Sequence, residues 1–260
     1  MRLKPAEFYE EQYQDSTYAS GTEAREESEA LRGFVAAFGL EDRAVLEVGC
    51  GRGAFQDVVR DWTGVDLALS ARAHLRKPFV VASAESLPFR SASFAGVWSI
   101  TVLEHVPDPE RALEEIARVL EPGGVAYLAP AWHCRPWAAE GYQVRPWTDF
   151  DWRGKLVKAS IPLRDALLVR AARELPVRAA RELRFRARPR APLCFRYRRL
   201  TPNYETFWIS DSDACCSMDP HEMLLWFLSR GWTSPSHPSA VQRLAVRHGA
   251  IVVRKPGSAG

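Results

Sequence analysis

The 260-residue chain has no uninterrupted apolar run approaching the roughly 18 residues that a membrane-spanning helix needs, so no transmembrane segment is expected. Its first residues, Met-Arg-Leu-Lys-Pro-Ala-Glu, lack the apolar core of a secretory leader, and a cytoplasmic location is the expectation. Cysteine is scarce: five residues, an odd number, none in C-x-x-C spacing. That argues against a disulfide framework, and no metal site is expected. Reduced thiols follow, with the adjacent Cys215 and Cys216 serving as packing. Net charge is only +3, too small for the bulk charge to imply a nucleic-acid binder. What remains, 47% apolar and 26% charged residues, describes an ordinary globular protein. The length suits one large domain or a domain with an insertion.

Apolar periodicity alternates between period 2 and period 3.6 through residue 130. Residues 5–18, with Phe8, Tyr9, Tyr13 and Tyr18 among acids, read as a short amphipathic helix or lid. Residues 23–38 read as a second helix. Strands are expected at 43–48, 63–66, 78–82, 94–100 and 125–129. A helix is expected to open near Gly53, a short one over 68–75, and another over 109–120, stopped by Glu121-Pro122-Gly123-Gly124. Alternation of this kind predicts an α/β fold with a parallel sheet covered on both faces. Beyond residue 130 the rhythm breaks. Residues 131–152 are rich in aromatics, and residues 164–199 hold twelve arginines against three acids. Val-Arg-Ala-Ala-Arg-Glu-Leu occurs at 169–175 and again at 177–183, which suggests two short amphipathic turns hinged at Pro176. A helix at 221–229 and a strand at 249–254 follow. The expected organisation is a helical lid (1–40), a core (41–130), an Arg-rich substrate-pocket insertion (131–218), and a C-terminal segment completing the core (219–260).

The most informative stretch is Val-Leu-Glu-Val-Gly-Cys-Gly-Arg-Gly at 45–53. An apolar strand runs through an acid into Gly49, Gly51 and Gly53, whose missing Cβ atoms let a ligand lie against bare backbone. Amides at the start of a following helix would favour an anionic ligand group. Asp66 ends the second strand, where an acid can take both hydroxyls of a ribose; N-capping the next helix is its other role. The run Gly49–Ala54 also satisfies G-x-G-x-x-G/A, so a nicotinamide dinucleotide and an oxidoreductase activity are a rival reading. Glu47 weighs against it, because a carboxylate there repels a pyrophosphate and suits a cation.

Taken with Gly64-Val-Asp-Leu67, Ala82-Ser-Ala-Glu-Ser-Leu-Pro-Phe89, Leu103-Glu-His-Val-Pro-Asp-Pro109 and Arg118-Val-Leu-Glu-Pro-Gly-Gly124, the chain resembles a class I S-adenosylmethionine-dependent methyltransferase of the small-molecule, type 11-like kind. The resemblance covers about residues 40–130. It implies a Rossmann-like sheet of seven strands, the last antiparallel, with an insertion after strand five. It also implies S-adenosyl-L-methionine as cofactor, held by Glu47, Gly49, Gly51, Gly53, Asp66, Leu67, Ser83, Ala84 and Glu85. Two positions depart from the family pattern. Ser83 stands where an aspartate often accepts from the adenine amino group, and Ala95 stands where an aspartate often follows the Phe94 position.

Methyl transfer to a hydroxyl calls for a base. His105 is the first candidate, because strand C-termini face the site in an open α/β sheet; packing beneath the cofactor is its alternative role. His133 is the second. Glu104, Trp132 and Trp137 are candidate acceptor contacts. Nucleobase acceptors are disfavoured: Ser99-Ile-Thr-Val102 replaces the Asn/Asp-Pro-Pro-aromatic of exocyclic-amine enzymes, and no Pro-Cys occurs in the chain. A small, lipid-linked or sugar-linked metabolite methylated at oxygen is the expected acceptor. Residues 164–199 are expected either to form a solvated helical face or to touch an anionic membrane surface peripherally. A non-catalytic scaffold that binds the cofactor and recruits a partner is the alternative from another functional class.

Overall fold

The computed structural model describes residues 5–12, 21–188, 191–206, 208–209 and 211–257. Tyr13 and Tyr18 lie outside them. Helices α1 (Pro5–Gln12) and α2 (Gly21–Phe38) precede β1 (Val45–Val48), β2 (Trp62–Asp66), β3 (Phe79–Val81) and β4 (Phe94–Ile100). Then come α3 (Pro109–Val119) and β5 (Leu120–Ala129). The second half holds α4 (Trp152–Asp165), α5 (Leu167–Ala187), a small ladder of β6 (Arg198–Arg199) and β7 (Cys216–Ser217), then α6 (Pro220–Leu228), α7 (Ala240–Ala245) and β8 (Ile251–Arg254).

The main sheet runs β3-β2-β1-β4-β5-β8, parallel except for β8, which pairs antiparallel with β5. All seven residues of β4 are buried, as a central strand covered on both faces requires. On one face Leu113, Ile116, Leu224 and Phe227 of α3 and α6 pack together; on the other, Leu31, Phe34 and Val35 of α2 meet Trp62 and Trp98. Asp108 caps α3 by accepting from the Arg111 amide, with Pro109 at the first helical position.

The sheet has six strands rather than seven. Past α6, the chain makes a single antiparallel bridge between Thr233 and Arg254 of β8. Pro235 and Pro238 lack the N–H a further ladder needs. Instead the Ser236 hydroxyl accepts from the Val252 amide at 2.8 Å, and the Ser234 hydroxyl donates to the Val252 carbonyl. Side chains thus replace the backbone of the missing strand.

Two local expectations also fail. Residues 51–60 form turns and bends rather than a helix. Only thirteen residues connect β1 to β2, the first five of them in the glycine loop, which is close to the minimum for a parallel crossover. Pro176, expected as a hinge, lies inside a continuous 21-residue α5. Proline there removes the partner of the Ala172 carbonyl, but Ala172 is exposed and water can take its place. Strand β5 also begins earlier than expected, at Leu120, which pairs with Phe94 across an irregularity in the ladder.

Candidate active site

The strand order reverses between β1 and β4, and in an open α/β sheet ligands bind at that crevice beyond the strand C-termini. The loops after these two strands carry Gly49, Gly51, Gly53, Glu104 and His105, while Asp66 ends β2, Leu67 follows it, and Ser83, Ala84 and Glu85 follow β3. Gly49, Gly51 and Gly53 all have positive φ (75°, 46° and 72°), a region that only glycine enters without strain. A Cβ on Gly49 would overlap the Val102 side chain, which lies just past β4, so the two loops meet at bare backbone. The Gly49 and Cys50 amides both donate to the Val65 carbonyl, fastening the loop to β2. Asp66 accepts from the Gly51 amide at 2.8 Å with one oxygen and from the Ala68 amide at 3.1 Å with the other. Its carboxylate therefore holds the glycine loop in shape.

Glu47 is buried on β1, accepting from the Trp62 indole at 2.8 Å. Burial pushes its carboxyl up to about 8, with repulsion from Asp66 adding and hydrogen bonding opposing. Glu104, past the end of β4, is 1% exposed, and burial raises its carboxyl as well. Its Oε2 has no hydrogen-bond partner among the described residues. Two buried acids near neighbouring strand ends, one with an orphaned oxygen, lack a cation to offset the burial that disfavours their charged form, and a cationic ligand would supply it. Leu67 is half-exposed beside Asp66. Past β3, the Ser83 hydroxyl accepts from the Glu85 amide, Ala84 is buried, and Glu85 accepts from the Asp108 amide at 2.7 Å.

His105 sits in a short 3₁₀ turn after β4, and the preceding Thr101 has φ of 51°. A β-branched residue in that region is strained by about 1–3 kcal/mol, a cost that clusters at functional sites. His105 Nδ1 lies 3.2 Å from Asp213 Oδ2, and Nε2 lies 3.6 Å from Glu104 Oε1. Asp213 is 1% exposed and accepts from the Tyr9 hydroxyl at 2.9 Å. Tyr9 comes from α1, which is tied down by Glu10 accepting from the Leu69 and Ser70 amides. The imidazole thus sits between two buried carboxyl groups, Nδ1 close to Asp213 without a formed hydrogen bond and Nε2 facing Glu104, a short adjustment away from the arrangement of a general base oriented by an acid. Sequence reasoning missed Asp213 and Tyr9: neither lies in a motif, and each reaches His105 only through the fold.

The other aromatic and histidine candidates lie elsewhere. The Trp132 indole donates to the Gly249 carbonyl at 2.7 Å. His133, whose φ is 59°, and Trp137 line a separate cavity beside α5. Burial holds the His133 imidazole below its ordinary value.

Residues 46–128 match the methyltransferase-domain family model. Over this segment the chain is similar to a methyltransferase domain. Ubiquinone biosynthesis O-methyltransferase of Paracidovorax citrulli is 36% identical over 108 residues, covering 35% of this chain and 44% of that protein. An uncharacterized methyltransferase of a Mycobacterium species is 38% identical over 96 residues, covering 34% of this chain and 38% of that protein. The chain thus spans less than half the length of these curated relatives. Among solved structures, the sugar N-methyltransferase KedS8 from a Streptoalloteichus species aligns over 51% of this chain and 57% of its own, at 25% identity and a TM-score of 0.41. Among the described residues no helix is long and apolar enough to cross a membrane.

Proposed function

We propose that the chain transfers a methyl group from S-adenosylmethionine to a hydroxyl oxygen of a small metabolite, with His105 as general base and Asp213 as the group that orients it. The 3.2 Å approach of His105, three residues past the Val102 that meets Gly49, to a buried Asp213 carries this reading. The curated relative named as an O-methyltransferase supports oxygen as the methylated atom. Glu47, Gly49, Gly51, Gly53, Asp66, Leu67, Ser83, Ala84 and Glu85 would hold the donor. Asp66 takes the ribose from its place against the loop, and the buried carboxylates face the cationic end. The bound donor supplies an activated methyl group on a sulfonium, so the protein's work is positioning, which accounts for about 7–11 kcal/mol of barrier in well-oriented reactions. His105 then removes the acceptor's proton, a contribution of about 10²–10⁴-fold. A cation brought beside Glu47 lowers its pKa, so donor binding at pH 7 should release a proton.

The test is turnover of methyl-labelled donor with metabolite extracts as acceptor source. His105→Ala and Asp213→Asn should lower turnover while leaving donor affinity intact. Equal loss of both in His105→Ala would make His105 a binding residue, and donor binding without any transfer would favour the scaffold. Peripheral membrane contact is a second reading, supported by Trp152, Leu156, Leu163, Leu167 and Leu168, all more than 60% exposed on α4 and α5. Failure to co-sediment with vesicles would count against it, and binding that falls as salt rises would add a contribution from the arginines.

A further inference from the structure

A cavity of about 240 Å³ lies between the segment after β5, the α4–α5 junction, the first turns of α5 and the β6–β7 ladder. Arg135, Arg164, Arg170, Arg173 and Arg198 line it, against the two acids Asp165 and Glu174. Both acids face arginines: Asp165 lies 3.1 Å from Arg135, and Glu174 lies 3.6 Å from Arg170 and 3.2 Å from Arg247, its buried Oε2 accepting no hydrogen bond among the described residues. Arg164, Arg173 and Arg198 have no ion-pair partner among the described residues. The Arg164 guanidinium lies 5.7 Å from the centre of the Trp137 ring, which holds it without neutralising it. On the cavity wall, Trp137 Nε1 and His133 Nε2 are buried atoms with no hydrogen-bond partner. A concave wall with surplus guanidinium forks and an unused indole N–H matches an anion with several acceptor oxygens. At about 30 Å³ per water, the volume holds roughly eight waters, more than a single phosphoryl group needs.

The cavity is joined to His105 by one short strand. The Cys215 amide donates to the Glu104 carbonyl at 2.8 Å, Ser217 lines the cavity, and the Met218 carbonyl accepts from the His133 amide. Asp213 and Ser217 are four residues apart, so their Cα atoms lie within about 14 Å of each other. We infer that this cavity is an anion subsite that binds the phosphate or diphosphate group of the methyl acceptor. The inference rests on the methyltransferase reading for the word acceptor, but not for the anion.

Calorimetric titration of the full chain with inorganic pyrophosphate tests the subsite directly. Saturable binding that weakens as salt rises is expected, with a loss of about ten-fold or more in the Arg164→Gln/Arg173→Gln variant. Trp137→Phe, which removes the indole N–H together with part of the ring beneath Arg164, is a second variant and should weaken binding by a smaller factor. Absence of saturable binding, or the same affinity in both variants with their melting temperatures retained, overturns the inference. Uridine diphosphate and farnesyl diphosphate serve as parallel arms: binding of either in competition with pyrophosphate supports the subsite, and the tighter of the two identifies a soluble or a lipid-linked source. S-adenosylhomocysteine titrated into the same proteins separates the two ideas. Pyrophosphate binding without it would sink the methyltransferase reading alone, and the reverse would sink the subsite alone.

Discussion

One heptapeptide occurs twice in α5 and is put to two uses. The copies start eight residues apart, and at 3.6 residues per turn the second is rotated about 80° from the first. The second copy turns inward. Arg178 makes two 2.9 Å bonds to Asp219 and also donates to the Leu244 and Val246 carbonyls. Arg181 grips Glu222 and donates to the Cys194 carbonyl, while Glu182 pairs with Arg243. All three repeat side chains are buried, and they fix α5 to α6 and α7. In the first copy Glu174 pairs with Arg170 and Arg247, and Arg173 faces the cavity with no ion pair among the described residues. Identical residues are structural where partners are supplied and available to a ligand where they are not. Counting arginines along 164–199 therefore overstates the charge open to a membrane or any other anionic partner.

Removing a clamp should show the largest effect. Arg181→Ala leaves Glu222 buried and unpaired, and an unfolding titration should show a loss of about 3–5 kcal/mol. The double variant Arg181→Leu/Glu222→Leu should recover most of it, because the desolvation cost disappears with both charges. Next is the spacer. Pro176→Ala keeps the eight-residue offset and restores the missing amide. Its helix-propensity gain of about 3 kcal/mol is reduced by the freer unfolded chain, for a net stabilisation of about 2–2.5 kcal/mol in urea melts.

A pH series sharpens the comparison further. His221 is fully buried, its Nε2 lies 3.4 Å from Glu182, and burial holds its imidazole below the ordinary 6.5. Below pH 6.5 the unfolded chain takes up a proton that the folded one refuses. The contribution of His221 is thus fully present above 6.5 and is lost as pH falls through the depressed value, at up to about 1.4 kcal/mol per pH unit. His221→Gln should flatten the slope of melting temperature against pH between 7 and 5, leaving the shares of His133 and His237, whose imidazoles are likewise depressed by burial. Smallest of all, Arg173→Ala should alter folding stability by no more than about 0.5 kcal/mol in the same urea assay, since it breaks no buried pair. A loss comparable to that of Arg181→Ala would erase the distinction between the copies.

What the sequence made legible was local. The glycine loop and the strand ends that place Asp66 and His105 follow from patterns a few residues long, and the antiparallel direction of the closing strand follows from the family resemblance. What escaped it depends on spans and distant partners. The helix expected after Gly53 fails because the crossover to β2 is short. The seventh strand fails because Pro235 and Pro238 interrupt it while serine hydroxyls take over its bonds. The proline hinge fails because clamps downstream hold α5 together. Asp213 and Tyr9 join His105 from opposite ends of the chain, and no motif announces them. The Arg-rich segment misleads because burial, invisible in composition, divides its residues.

The central claim is that the crevice between β1 and β4 holds S-adenosylmethionine with Asp66 at its sugar. Calorimetric titration of that donor into the wild-type chain and Asp66→Ala is the most direct test. One site per chain is predicted, weakened in the variant by about 1.5–3 kcal/mol. No binding, an unchanged affinity in Asp66→Ala, or displacement of the donor by a nicotinamide dinucleotide would contradict it.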